Sequence, residues 1–409
     1  MLKNYLKKFS YYLPFMLPLL IPFSRALADI TIIIISLLFI LHSYVNNQWE
    51  WTKVKWVRIA CIFILYCIFI VTPLSINTND SFLYSIYFLR WPLFSLALCF
   101  WILDGREAIK NFLLAVTIVV SFLIIDSWWQ YFFDFDLFGN EKYSEDRLSG
   151  PFRRPHIGMW ISKLSLFLPF LFLIQKKINS NISNFYFVFL IIFYTVFISG
   201  ERMALILTLL SITIYSFGFY LNNYLVNKKI IIFFIFFILI NIVFYFFDPL
   251  IYERSVVSTI DKIYSWKESD YYLVWESAYK VWMESPFVGS GFHTYREACD
   301  SLSIYTLEQK NFLSICFHPH NISLELLSEL GFFGFILFYL MILFIFLEFK
   351  KTFKSNQWLL FSIYISIFIG CFFPLTSGMS IFSNKLASII WLLVGFCLAY
   401  EKQLKKSNF

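Results

Sequence analysis

Residues 286–334 read PFVGSGFHTYREACDSLSIYTLEQKNFLSICFHPHNISLELLSELGFFG. The first part is polar and of mixed charge, and it holds three of the five histidines: His293, His318 and His320. From Ile322 onward an apolar run continues to residue 348, and about 20 helical residues suffice to cross a bilayer. Pro319 stiffens the approach, and Asn321 is a favourable N-cap for the helix that follows. A polar segment thus runs directly into a membrane span, and that junction decides the fold.

Working outward, the 409-residue chain is 59% hydrophobic, 22% aromatic and only 14% charged. No single water-soluble core of this size could cover so much apolar surface, whereas a bilayer accepts it provided the backbone is satisfied inside helices. Apolar runs of spanning length fall at 11–25, 28–46, 57–75, 84–104, 109–132, 156–175, 183–199, 202–220, 229–247, 322–348, 357–377 and 380–400. The expectation is an all-α integral membrane protein, a polytopic bundle of about twelve transmembrane helices with one large extracytoplasmic loop. Residues 1–247 would supply the first nine spans, 248–321 the loop, and 322–409 the last three spans and a tail. Lys3, Lys7 and Lys8 ahead of an apolar stretch mimic a secretory signal, but Pro14, Pro18 and Pro22 interrupt it and no small-residue cleavage site follows. It reads as a retained first span.

The basic residues test this count. With the N-terminus inside, the inner loops hold Lys53, Lys55 and Arg58; Arg106 and Lys110; Lys176 and Lys177; Lys228 and Lys229; Lys350, Lys351 and Lys354; and Lys402, Lys405 and Lys406. The outer turns Asn77–Ser81 and Thr376–Ser380 hold none. This is the positive-inside pattern, and it places both termini in the cytoplasm. It also explains the net charge of +7 through contact with anionic membrane lipids, so no nucleic acid is implied.

Two segments outside the spans exceed a turn. Residues 133–155 form one, and 248–321 form the other. Within the latter, Leu273, Val274, Ala278, Val281 and Trp282 recur at helical spacing, which predicts an amphipathic helix over Asp270–Glu284 near the membrane surface. Pro286 ends it, and Gly289 and Gly291 read as a flexible bend. Cys61, Cys67, Cys99, Cys371 and Cys397 lie in apolar runs as small packing residues. Cys299 and Cys316 lie in the loop, in an oxidising compartment, and are expected to form a disulfide.

His320 sits where the partial positive charge of a helix N-terminus attracts anions, phosphates above all. A neutral imidazole there suits a general base, although a surface histidine at an interface has the same local signature. Gly331 and Gly334 at i, i+3 spacing read as a smooth helix face for close packing. His320-Asn321 followed after nine residues by Gly331-Phe332-Phe333-Gly334 resembles the histidine motif of the O-antigen ligase family. Pro286-Phe287-Val288-Gly289-Ser290-Gly291 is similar to its P-x-x-G-x-G stretch, and Ser199-Gly200-Glu201-Arg202 to its S-G-x-R turn. Arg147-Leu148-Ser149-Gly150 with Pro155 is similar to its R-x-S-G…P segment. The likeness covers most of the chain, including the large loop between the ninth and tenth spans.

That resemblance implies a GT-C-like membrane glycosyltransferase at the periplasmic face of the bacterial inner membrane, multi-pass, with the large loop periplasmic. It implies a glycan donor on undecaprenyl pyrophosphate, a lipid A-core acceptor, and neither metal nor other cofactor; a homodimer is compatible with it. His320 would be the base. Arg202 would grip the pyrophosphate with its planar fork, with Arg147 and Arg90 as weaker candidates; snorkelling to head groups is the alternative for Arg202 and Arg90. Asn321, Gly289, Gly291, Gly331 and Gly334 would support the site. Glu325 and Glu329 share a helix face, for a helper or a structural role. One departure stands out: the family carries an arginine shortly before the tryptophan corresponding to Trp275, where this chain has Asp270, Tyr271 and Tyr272. Arg254, Lys267 and Arg296 are candidates to replace it. His318-Pro319-His320 with His293, Cys299 and Cys316 matches no standard zinc spacing. Two rivals remain: an O-antigen polymerase, which extends the lipid-linked chain, and a twelve-span transporter, which would carry its polar residues nearer the bilayer midplane.

Overall fold

The computed structural model describes residues 2–174, 178–222, 228–302, 315–355, 357–375 and 379–406. Lys176, Lys177, loop residues 303–314 and turn residues 376–378 lie outside the described residues. The described chain is helical, with two isolated β-bridges, Phe135 with Glu141 and Ser144 with Arg147. Its first nine helices are α1 (Leu2–Phe23), α2 (Arg25–Asn46), α3 (Lys55–Leu74), α4 (Thr78–Ile102), α5 (Arg106–Phe133), α6 (Ile157–Ile174), α7 (Ile178–Ile198), α8 (Arg202–Leu221) and α9 (Lys228–Phe247). There follow α10 (Pro249–Tyr264), α11 (Asp270–Glu284), α12 (Tyr295–Ser301), α13 (Ile322–Phe346), α14 (Trp358–Phe372) and α15 (Asn384–Lys406).

Each of the twelve apolar runs overlaps a helix among the described residues. By length and composition, eight helices among the described residues suffice to cross a membrane, and nine if the pair at Ile235–Phe247 and Pro249–Tyr264, bent by 115°, is one broken span. The shorter apolar helices are α14 and the Ile182–Ile198 part of α7, while α1 carries Pro14, Pro18 and Pro22. One continuous core joins α1 to α9 and α13 to α15. Large apolar side chains also point outward, such as Leu37 at 63% exposure, Phe69 at 70% and Phe247 at 84%. Water would penalise that surface, and lipid does not.

Two ends of the bundle can be told apart by their contacts. At one, the Gln403 amide donates to Asp104 at 2.9 Å and the Trp358 N–H donates to Asn222 at 3.0 Å. At the other, residues 134–156, 248–302 and 315–321 gather over the helix ends. Here α11 buries Val274, Ala278 and Val281. Ala278 and Val281 share a small separate core with Tyr295, Ala298 and the disulfide Cys299–Cys316. The amphipathic face of α11 is therefore turned toward the protein, not the lipid.

Two expectations fail here, for one reason. Gly331 is not part of a smooth helix face: at φ 64° and ψ −173° it breaks α13, in a region open essentially to glycine. Nor do Gly289 and Gly291 form a flexible bend. The break frees backbone groups, and segment 286–291 satisfies them. The N–H groups of Phe332 and Phe333 donate to the Pro286 and Phe287 carbonyls at 2.9 and 3.3 Å, and those of Ser290 and Gly291 donate to the Ser328 and Glu329 carbonyls, both at 2.9 Å. A methyl on Gly331 would meet the Phe287 carbonyl carbon at 2.3 Å, and one on Gly289 the Glu329 carbonyl at 2.4 Å. The two glycine motifs are the two halves of one backbone joint. Tyr66 Oη seals it by donating to the Leu330 carbonyl at 3.0 Å.

Candidate active site

The same end of the bundle holds a cavity of about 290 Å³ lined by Arg147, Glu201, Arg202, Arg254, Tyr271 and His320, among others. Each arrives from a different part of the chain. Asn321 caps α13, its Oδ1 accepting from the Ser323 and Leu324 N–H groups at 2.9 and 3.2 Å. That cap fixes where the helix starts and so where His320 sits, one residue outside it. His320 adopts a left-handed φ of 52°, a conformation costing a non-glycine residue about 1 kcal/mol or more. The Tyr271 ring lies 6.1 Å from its imidazole, edge to face, and that of His318 lies 5.0 Å away. Burial holds His320 below the usual histidine pKa, so near neutrality it is a proton acceptor. Burial, then the His320 charge, push His318 further down, to about 3.

The cationic wall comes from the S-G-E-R turn and the loop before α6. Gly200 turns at φ 70°, and a methyl there would strike the Asp146 carbonyl. The Leu148 N–H donates to the Ser199 carbonyl at 3.4 Å, so the R-L-S-G and S-G-E-R motifs lie side by side. Gln130 Oε1 holds the loop from below by accepting from the Ser149 and Gly150 N–H groups at 3.0 and 2.8 Å. Arg254 enters from α10, past the bend. Its Nε donates to the Gly200 carbonyl at 3.0 Å and its Nη1 to Asp146 Oδ2 at 2.7 Å. Burial opposes ionisation of Asp146, but the Ser144 hydroxyl and Arg254 hold it below the usual carboxylate range.

Arg202 and Arg147 keep donors in reserve. Arg202 donates only a long 3.4 Å bond to Ser258 Oγ among the described residues. Arg147 reaches the Pro155 carbonyl at 3.4 Å, and its buried Nε has no hydrogen-bond partner among the described residues. Three guanidiniums therefore line one cavity, two of them with spare donors, which is how a protein prepares to take a multiply charged anion.

Glu201 belongs to the S-G-E-R turn, whose resemblance assigns it no role. Its Oε1 accepts from the Gly158 and Met159 N–H groups at 2.7 and 3.3 Å, tying the turn to the first turn of α6. Burial pushes its carboxyl up to about 7, against the pull of the Met159 N–H and Arg147. The signal available in the sequence was its place beside Arg202. His156 and Lys163 also line the cavity and had none, whereas Tyr271 had only its place before Trp275; the Lys163 Nζ donates to the Gly370 carbonyl at 2.7 Å.

Arg254 is the one of the three candidate replacement cations that lines the cavity. Arg296 is largely exposed, 4.0 Å from Asp300 and over the Phe317 ring. Tyr271 occupies the wall four residues before Trp275. Arg90 lies elsewhere, paired with Asp29 at 3.2 Å and donating to Asn384 at 2.7 Å. Glu325 and Glu329 are buried behind His320. Glu325 Oε2 accepts from the Ile381 N–H at 3.2 Å and lies 3.8 Å from His318 Nδ1, and Glu329 accepts from the His293 and Tyr295 N–H groups at 2.8 and 3.4 Å.

In comparison with known proteins, a family model described as O-antigen ligase matches residues 187–339. That span contains Arg202, Arg254, Tyr271 and His320, and both halves of the glycine joint. No curated protein matches the chain.

Proposed function

We propose that this chain, which belongs to the O-antigen ligase family, transfers a glycan from undecaprenyl pyrophosphate to a sugar hydroxyl of lipid A-core at the periplasmic face of the inner membrane. The observation that carries this reading is the cavity in which His320 faces Arg147, Arg202 and Arg254. A retained imidazole accepts the proton of the attacking hydroxyl. The bond between the donor's anomeric carbon and its phosphate oxygen breaks, and undecaprenyl pyrophosphate leaves with the electron pair. Charge grows on that leaving group, and guanidiniums placed beforehand at its oxygens stabilise the transition state more than the ground state. Both termini lie in the cytoplasm on this reading, and the end of the bundle bearing 248–321 faces the periplasm.

The test is reconstitution of the full-length protein with a defined undecaprenyl-pyrophosphate glycan and lipid A-core. Glycosylated lipid A-core supports ligation; extension of the lipid-linked glycan with no attachment would make the protein a polymerase. A deletion strain separates the same two outcomes in cells. Loss of a ligase leaves long polymer on the carrier lipid and bare lipid A-core, whereas loss of a polymerase leaves lipid A-core bearing at most one repeat unit.

A further inference from the structure

Beside the cavity, three elements bring positive charge to one shelf. Arg25 opens α2 and is exposed, Arg153 and Arg154 are exposed in the loop before α6, and Lys385 stands at the start of α15. The loop is fixed to its neighbours by rings: Phe152 stacks on Phe23 of α1 at 6.2 Å and lies 6.2 Å from Trp160 of α6. The Lys385 ammonium sits over both, 5.3 Å from the Phe152 ring and 5.7 Å from that of Trp160. Arg25 and Arg154 lie within electrostatic range of Lys385.

The carboxylates do not balance this shelf. Asp29, one turn beyond Arg25, is engaged by Arg90, which also holds Asn384 next to Lys385. Glu201 is within range of Lys385 but is fixed on the α6 N–H groups. His156, which lines the cavity, is pushed down to about 4 by burial and then by Lys385, Arg147 and Arg154. Burial keeps a proton off this imidazole, and the three neighbouring cations add to the effect. Like charges gathered in this way destabilise one another until an anion joins them. Phe23, exposed and stacked on Phe152, gives the shelf an apolar side, and Leu27 and Ile30 of α2 are exposed as well. An anion bound here would therefore have its apolar part against the bundle and its charge against the shelf.

We propose that Arg25, Arg154 and Lys385 form a second anion site, distinct from the Arg147–Arg202–Arg254 wall, that binds the phosphate of a phosphorylated glycolipid presented for transfer. The identity of that glycolipid as the acceptor rests on the proposed function; the site itself does not. His156 and Glu201 join the shelf to the cavity, so a head group anchored by its phosphate keeps its distal sugars within reach of His320.

The full chain in phosphatidylcholine nanodiscs would be titrated with diphosphoryl lipid A, with phosphatidylglycerol at matched charge, and with inorganic phosphate as competitor. The expected result is saturable lipid A binding, stronger than for phosphatidylglycerol and not displaced by millimolar phosphate. Arg154→Gln/Lys385→Gln would weaken it about tenfold or more, and Arg154→Lys/Lys385→Arg would retain most of it. Since Lys385 is half-buried, the exposed pair Arg25→Gln/Arg154→Gln provides the same test if the first variant does not fold. Unchanged binding in a folded variant overturns the site. Equal binding of phosphatidylglycerol, or displacement by phosphate alone, overturns the glycolipid assignment. None of this requires turnover: lipid A bound at the shelf by a protein that transfers nothing would defeat the proposed function and leave the site standing. In a protein that does transfer, the variants should raise the acceptor KM and leave kcat nearly unchanged.

Discussion

Arg254 and Asp146 lie 2.7 Å apart and tie α10 to the loop before α6, although 108 residues separate them in the chain. Because Arg254 Nε also donates to the Gly200 carbonyl, one guanidinium locks the turn that carries Arg202. We propose that Arg254, which lines the cavity, supplies the cation that is missing before Trp275. Arg254→Ala should lower transfer about a hundredfold, and Arg254→Lys should recover little, since an ammonium cannot bridge two acceptors as the planar fork does. Asp146→Asn should fall between, chiefly through a higher donor KM. Wild-type kinetics in Arg254→Ala would remove it from the site.

His320 yields a pH prediction. Burial lowers its pKa from 6.5, so the neutral base persists to more acid pH than a free imidazole would. The acid limb of kcat against pH should fall with an apparent pKa below 6.5. His320→Ala should cost roughly a hundred- to ten-thousandfold in rate and abolish that limb, with membrane insertion unchanged. A limb that survives the substitution would assign it to another group.

What could be read in the sequence divides along a physical line. Membrane class, helix positions and the cap at Asn321 follow from composition and from residues adjacent in sequence, where local preference and environment agree. The break at Gly331 was not legible, because a glycine in an apolar run reads as tolerated helix until another backbone is brought against it. Arg254 was legible only as one of three candidate cations, with no spacing to single it out. Its position depends on a 115° bend and on a partner in a distant loop, neither of which leaves a periodicity. Glu201 was half legible, sitting inside a motif that said where to look without saying what it binds.

The glycine joint can be tested apart from catalysis. Gly331→Ala places a methyl 2.3 Å from backbone that cannot yield, at a φ/ψ alanine does not adopt. The cost should be at least about 3 kcal/mol, seen as loss of folded protein on extraction. Gly105→Ala is the control: its φ is also positive, at 108°, but its methyl would meet nothing within 4 Å, so it should bear the strain of conformation alone.

The disulfide should matter for the loop more than for the bundle. Cys299 and Cys316 close a 17-residue separation, for which the chain-entropy account gives about 3 kcal/mol. Cys299→Ser/Cys316→Ser should therefore loosen the small core around Ala278 and Tyr295 while α1 to α9 stay packed. Limited proteolysis should cut between 299 and 316 sooner in the variant than in the wild type. Equal protection would mean that the core holds without the bond.

Glu201 gives the sharpest stability test. Burial pushes its carboxyl up to about 7 in the folded protein, against an ordinary 4.5. A raised carboxyl pKa means the folded state holds a proton that the unfolded chain releases first. The stability linked to that proton is fully present below about 4.5 and is lost as pH rises through about 7. Glu201→Gln keeps an oxygen to accept from Gly158 and Met159 but carries no charge to bury. Its unfolding midpoint should match the wild type at pH 4.5 and exceed it at pH 8, by roughly 1–2 kcal/mol once screening at this partly exposed site is allowed for. A gap of the same size at both pH values would show that the carboxyl does not titrate there, and that Arg147 and Lys385 hold it charged.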